Sequence, residues 1–147
     1  MLTRLDNFDE TIAWATTQQG LARAINGLAR LEDNPNLLRQ AVGIYRTTLE
    51  DLREKQAPRL WAGIQSRLGE TLVKLGDAED DAGQLEEAVA CFRAALGATA
   101  RSEMPAEWTR LQFELGNAHV ALGLRASGAA ALESAINAFK RVLDDWQ

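Results

Sequence analysis

Three of the four tryptophans recur at one constant interval. Trp14, Trp61 and Trp108 are each separated by 47 residues. The same offset, applied without gaps, superposes further sets of similar residues: Gln18, Gln65 and Gln112; Ala41, Ala88 and Ala135; Tyr45, Phe92 and Phe139; and Leu49, Leu96 and Leu143. Self-similarity at a fixed period of this length indicates a chain built from one repeated supersecondary unit.

Within each unit, apolar residues recur every three or four positions, which is the spacing of one helix face. The second unit shows two such stripes: Trp61, Ile64, Leu68, Leu72 and Leu75, and then Leu85, Ala88, Val89, Phe92 and Leu96. Two helices per unit follow from this pattern, and no strand pattern competes with them. We expect six helices, over residues 10–31, 35–55, 58–76, 82–101, 105–123 and 129–146.

Residues at the ends of these stripes support the helix boundaries. Proline suits the first helical turn because its missing N–H is not needed there, and short polar side chains cap helix N-termini. Pro58 and Pro105 are the predicted first residues. The predicted N-caps are Asn34, Asp81 and Ser127, and the predicted end markers are Gly76 and Gly123.

The motif Leu68-Gly69-x-x-Leu72, followed by Ala88-x-x-x-Phe92 and Pro105, resembles the tetratricopeptide repeat (TPR) signature. The third unit repeats it with Leu115-Gly116, Ala135 and Phe139, whereas the first has Ala22 in place of the glycine. The 47-residue period exceeds the usual period of about 34 residues, which implies longer A helices and longer turns. The resemblance implies an all-α solenoid: three antiparallel A–B helix pairs in a right-handed superhelix, whose A helices line a concave surface.

We therefore expect residues 1–147 to form a single TPR-like repeat domain. Its units span approximately 11–57, 58–104 and 105–147, with 1–10 as a lead-in. Small residues such as Gly69 and Gly116 would let paired helices approach closely, while Phe92 and Phe139 fill the space between them.

Composition and charge exclude several classes of function. The net charge is −5, from 16 basic and 21 acidic residues, which disfavours nucleic acid as a partner. A single cysteine, Cys91, cannot form an internal disulfide or a thiolate metal cage. The apolar stretches are too short for a membrane span, and the first residues do not form a signal peptide. The expected location is cytoplasmic, with no membrane partner.

Candidate catalytic residues are few. The only histidine, His119, falls on a predicted buried stripe, and Cys91 lies on a helix without a base or oxyanion donor beside it. The acidic run from Asp77 to Glu87 fits a solvated turn and the positive end of a helix dipole better than a calcium loop. We expect no enzyme activity, no cofactor and no bound metal.

The outward face of each A helix is the predicted binding surface. At about 100° per residue, the positions two, five, nine and twelve residues after each tryptophan point away from the leucine stripe. These positions vary between units while the core positions repeat. We expect a peptide or protein segment to bind here, with apolar anchors and polar contacts at Arg23, Asn26, Val73, Arg110, Phe113, Asn117 and Val120.

The alternative is a structural or self-associating segment of a longer repeat array, in contact through its ends. A finished repeat array needs a polar cap, and neither end of this sequence shows one. The partner would then be a second copy or further repeats, bound through the terminal helices. The candidate contacts are Leu2, Leu5, Val142 and Trp146.

Overall fold

Helices make up nearly all of the computed structural model, which describes residues 8–125 and 128–144. The helices are α1 (Phe8–Glu32), α2 (Pro35–Asp51), α3 (Pro58–Glu79), α4 (Ala82–Gly97), α5 (Pro105–Arg125) and α6 (Ala129–Asp144). No strand occurs within these two ranges. The predicted all-α class and helix order are confirmed, although α2 and α4 end about one turn before the predicted residues.

The predicted helix N-termini are stabilised by prolines and by side-chain caps. Pro58 and Pro105 are the first residues of α3 and α5. The side-chain oxygen of Asn34 accepts a hydrogen bond from the Asn36 N–H at 3.0 Å. Asp81 Oδ1 caps α4 in the same way, accepting from two backbone N–H groups at 2.9 and 3.3 Å. The third predicted cap, Ser127, lies outside the described residues.

The prediction that Gly76 and Gly123 end their helices is wrong. α3 and α5 continue to Glu79 and Arg125, and Asp80, which follows α3, adopts a left-handed conformation with φ of 53°. Both glycines serve helix packing instead. A Cβ added to Gly76 would lie 2.9 Å from the Leu85 side chain of α4, and one added to Gly123 would lie 2.6 Å from Leu132 of α6.

Each helix packs against the next along the chain, and α3 also contacts both α1 and α5. The core contains large, fully buried side chains from several helices, including Tyr45, Ile64, Leu72, Phe92 and Leu111.

The predicted pairing of small and large residues is confirmed. A Cβ on Gly69 would come within 2.9 Å of the Phe92 ring, and one on Gly116 within 2.6 Å of the Phe139 ring. The absence of a side chain at these two positions therefore sets how closely the helices approach. His119 is buried, as predicted, and Cys91 is buried as well.

Candidate functional site

A polar cavity of about 200 Å³ opens between α1 and α3, with α2 beneath it. Its lining residues are Arg23, Asn26, Gly27 and Arg30 of α1, Tyr45 of α2, and Arg67, Glu70, Thr71 and Lys74 of α3. We call this the α1–α3 basic cavity. It contains two residues that the sequence placed on the binding surface, Arg23 and Asn26.

Positive charge dominates the α1–α3 basic cavity. Arg23, Arg30, Arg67 and Lys74 line it, and none of them forms an ion pair with another described residue. Its single carboxylate, Glu70, is already paired, because Arg110 Nη1 lies 2.8 Å from Glu70 Oε1. An unneutralised cluster of this kind attracts anions.

The inner wall of the cavity holds a short chain of hydrogen bonds. Asn26 Nδ2 donates to Thr71 Oγ1 at 2.9 Å, and Thr71 Oγ1 donates to the Arg67 carbonyl at 2.8 Å. These bonds join α1 to α3 and hold Asn26 in place. They also leave Asn26 Oδ1 as a buried acceptor that has no partner in the described ranges.

Tyr45 is fully buried and contributes the phenol ring at the base of the cavity. Its hydroxyl makes no hydrogen bond of good geometry with a described group, although the side chain of Asn26 lies beside it. Burial raises the pKa of Tyr45, while the positive charge of Arg67 and the Asn26 side chain act in the opposite direction. The hydroxyl therefore stays protonated at neutral pH and is available as a donor.

Arg110 makes an interhelical contact next to this cavity. Its guanidinium donates to Ser66 Oγ of α3 at 2.8 Å and pairs with Glu107 at 2.5 Å, in addition to its bond to Glu70. The hydrogen bond to Glu107 raises the pKa of Arg110. Ser66 is five residues after Trp61 and was therefore expected to point outward, but that expectation is wrong, because Ser66 is only 1% exposed and lies at the α3–α5 contact.

The remaining predicted contacts lie apart from the cavity. Val73 is half-buried and packs against the core. Phe113 is half-exposed, and its ring centroid lies 5.8 Å from that of Phe139 in α6. Asn117 is exposed and Val120 half-buried, both on α5. The structure therefore does not gather the predicted apolar anchors around Arg23 and Asn26.

A second polar cavity, of about 310 Å³, lies among α4, α5 and α6. His119 Nδ1 and Gln112 Oε1 are buried there without hydrogen-bond partners among described atoms, and Arg93 and Arg141 also line the cavity. Burial lowers the pKa of His119, and Arg93 lowers it further. The ring is therefore held neutral.

Cys91 does not supply a reactive thiol. Burial, assisted by the negative charge of Glu87, raises the pKa of Cys91 to about 12. The thiolate is the nucleophilic form, so its population is negligible at neutral pH.

The described ranges contain no cluster of three or more residues suited to hold a metal ion. None of their helices is long and apolar enough to cross a bilayer.

Sequence reasoning missed most of the α1–α3 basic cavity. Tyr45 was identified only as a repeating aromatic position, and Arg30, Arg67 and Lys74 were not selected. The available signal was a pair of basic residues seven positions, about two helical turns, apart on each of two A helices, at 23 and 30 and at 67 and 74.

A comparison with known protein families, curated proteins and solved structures finds no match to this chain.

Proposed function

We propose that this chain is a non-catalytic scaffold of three TPR-like helix pairs that binds an acidic segment of a partner protein. The pairs are α1–α2, α3–α4 and α5–α6. The binding surface is the side formed by α1, α3 and α5, and the α1–α3 basic cavity is its anion-binding part.

The unpaired basic cluster is the observation that carries this proposal. The chain has a net charge of −5, yet Arg23, Arg30, Arg67 and Lys74 line one cavity, and none of them forms an ion pair with a described residue. Placing like charges together costs free energy. A bound acidic segment would offset that cost, and the local field would speed its association.

The helix arrangement also supports the proposal. α3 contacts α1 on one side and α5 on the other, so the three A helices are neighbours. The bonds from Arg110 to Ser66 and Glu70, and from Asn26 to Thr71, hold them together. A rigid surface of adjacent helices loses little conformational entropy when an extended segment binds to it.

The test begins with a partner identified by affinity capture and mass spectrometry, which is then purified and titrated. Arg67→Glu reverses a charge in the cavity, and Arg59→Glu makes the same change at an exposed position in the first turn of α3. We expect Arg67→Glu to weaken binding at least tenfold, and Arg59→Glu to have little effect. Equal effects from the two variants would contradict the proposal.

A second candidate function is self-association through the ends. The exposed large apolar residues include Leu21 and Leu28 of α1 and Ile136 and Leu143 of α6. Contiguous exposed apolar groups on terminal elements are typical of interaction surfaces. Of the predicted end contacts, Val142 is half-buried in α6, whereas Leu2, Leu5 and Trp146 lie outside the described residues. Sedimentation over a range of concentrations tests this function independently of any partner.

A further inference from the structure

The charge, hydrogen-bond donors and size of the α1–α3 basic cavity together indicate which acidic group it binds. We propose that the cavity binds a phosphomonoester group, carried by a phosphorylated side chain of the partner segment. The identity of the carrier rests on the proposed function. The phosphate site itself can be tested on the isolated protein.

The charge balance favours a dianion. Four basic side chains line the cavity against one carboxylate, and Arg110 already pairs with that carboxylate. A carboxylate ligand brings one negative charge, whereas a phosphomonoester brings nearly two at neutral pH. Three of the four basic groups are arginines, whose planar guanidinium groups bind phosphate oxygens in pairs.

The buried donor provides a second, independent argument. The Tyr45 side chain is fully buried at the cavity, and its hydroxyl makes no hydrogen bond of good geometry, with the Asn26 side chain beside it as a weak alternative acceptor. Leaving such a group unpaired is costly, so a buried polar group usually has a partner. An oxyanion in the cavity could accept a hydrogen bond from this hydroxyl. A surface that attracts anions only by long-range charge would have no use for a buried donor.

The cavity is large enough for the group. Its volume of about 200 Å³ is several times the roughly 30 Å³ that one water molecule occupies in the liquid. Its basic residues come from both α1 and α3, which would place guanidinium groups on two sides of the ligand.

The first test titrates the full chain with inorganic phosphate in chloride buffer, followed by NMR of backbone amides and by calorimetry. We expect shifts concentrated on α1 and α3 around the cavity. Arg67→Gln should weaken binding about tenfold, which is the scale of one charge-assisted hydrogen bond. Arg59→Gln removes the same charge outside the cavity and should leave binding nearly unchanged.

Tyr45→Phe tests the buried donor. It removes only the hydroxyl and should weaken phosphate binding severalfold. Circular dichroism and thermal unfolding of each variant verify the fold. Acetate should bind more weakly than phosphate. Binding that is insensitive to Arg67→Gln, or acetate binding as tight as phosphate binding, would overturn the proposal.

A pH series separates the ligand's charge from that of the protein. Phosphate gains its second charge near pH 6, so its affinity should rise between about pH 5 and pH 7.5. Sulfate, already doubly charged, should not show this rise in affinity.

Titration of the protein must be separated from titration of the ligand. The charged groups facing the site are Arg23, Arg30, Arg67, Lys74 and Glu70, and Glu114 is close to Lys74 and Glu70. The pKa of Glu114 is raised mainly by burial, and its ionisation would weaken anion binding as the pH increases. Protein titration therefore has the opposite sign, and parallel rises for both anions would overturn the proposal.

The final arm tests the carrier. Phosphatase treatment of a captured partner should weaken its binding to the parent chain. The same treatment should have little further effect on its binding to the Arg67→Gln variant. If the treated partner still binds tightly and remains sensitive to Arg67→Glu, the phosphate inference fails while the proposed function stands. If phosphate binds in the cavity but Arg67→Glu leaves partner binding unchanged, the proposed function fails and the phosphate site stands.

Discussion

The α3–α4 and α5–α6 pairs carry equivalent residues in different surroundings. Val89 of α4 is 6% exposed, whereas Ile136, 47 residues later in α6, is 51% exposed. Leu96 is half-buried, while its counterpart Leu143 is 63% exposed. α4 packs against both α3 and α5, but α6 is the last described helix. The apolar residues of one unit thus include some that pack within the pair and some that pack against the next pair. In the α5–α6 pair, those of the second kind are exposed.

The opposite end shows the complementary difference. Leu68 and Leu75 of α3 are 3% and 2% exposed, whereas Leu21 and Leu28 occupy the same positions in α1 and are about half exposed. α3 packs against the preceding helix α2, while α1 is the first described helix. These exposed apolar side chains of α1 and α6 are therefore at positions whose counterparts in α3 and α4 are buried or half-buried.

The largest expected difference concerns the aromatic residues that fill each pair. Phe92→Ala should lower the free energy of unfolding by about 3–5 kcal/mol, since this ring is fully buried. Phe139→Ala should cost less, because Phe139 is only half-buried in the last pair. Urea denaturation measures both values. Equal losses would show that the last pair is packed as tightly as the central one.

The glycines opposite these rings extend the comparison. Gly69→Ala should destabilise by roughly 1–3 kcal/mol, because the new Cβ would lie 2.9 Å from a fully buried Phe92 ring. Gly116→Ala brings its Cβ even closer to Phe139, at 2.6 Å, yet should cost less because that ring has room to move.

Gly43→Ala is the matched control for both glycine variants. A Cβ on Gly43 would meet no atom within 4 Å, so this change should stabilise α2 by about 0.4–1 kcal/mol. Thermal unfolding ranks the three variants. A larger loss at Gly116 than at Gly69 would contradict our interpretation of the end pair.

The contribution of α5 to the free energy of unfolding should depend on pH at a position where that of α3 does not, because His119 occupies the position that Leu72 occupies in α3. The pKa of His119 is lowered in the folded state, mainly by burial. Below its unfolded pKa of about 6.5, the unfolded chain binds a proton that the native protein takes up only at lower pH. This residue therefore stabilises the fold less as the pH falls from about 7.5 to 5.5.

His119→Leu should remove this pH-dependent loss of stability. The midpoint temperature of thermal unfolding should therefore decline less on acidification in the variant than in the parent chain. The raised pKa of Glu114 acts in the opposite direction and is present in both proteins, so it cancels in the difference. Parallel declines in the two proteins would contradict the assignment of a neutral buried His119.

The smallest stability effect is expected at the open end. Ile136→Ser should change the free energy of unfolding by less than about 0.5 kcal/mol, since the side chain is already half exposed. Val89→Ser, at the equivalent covered position, should cost distinctly more. If the ends self-associate, Ile136→Ser should also weaken that association in sedimentation experiments, and unchanged association would place the contact elsewhere.

Much of the local structure was predictable from the sequence. The helix order follows from apolar periodicity, and the caps at Asn34 and Asp81 depend only on residues within one turn. The pairing of Gly69 with Phe92 was also correct, because a small and a large residue recur together in successive units. The lining of the α1–α3 basic cavity, our proposed binding site, was predicted only in part: Arg23 and Asn26 were selected, while Tyr45 and Arg67 were missed.

The sequence by itself determined which segments are helical and which positions repeat, because those properties depend on short-range hydrogen bonding and on the alternation of apolar and polar groups. Only the tertiary structure decided that α5 covers Ser66 and that Arg23 and Arg67, from different helices, share a cavity above Tyr45. Helical phase assigns a residue to one side of its own helix. Which neighbour then covers that side depends on the angle and distance at which side chains interdigitate, and these arise from packing between segments far apart in the chain.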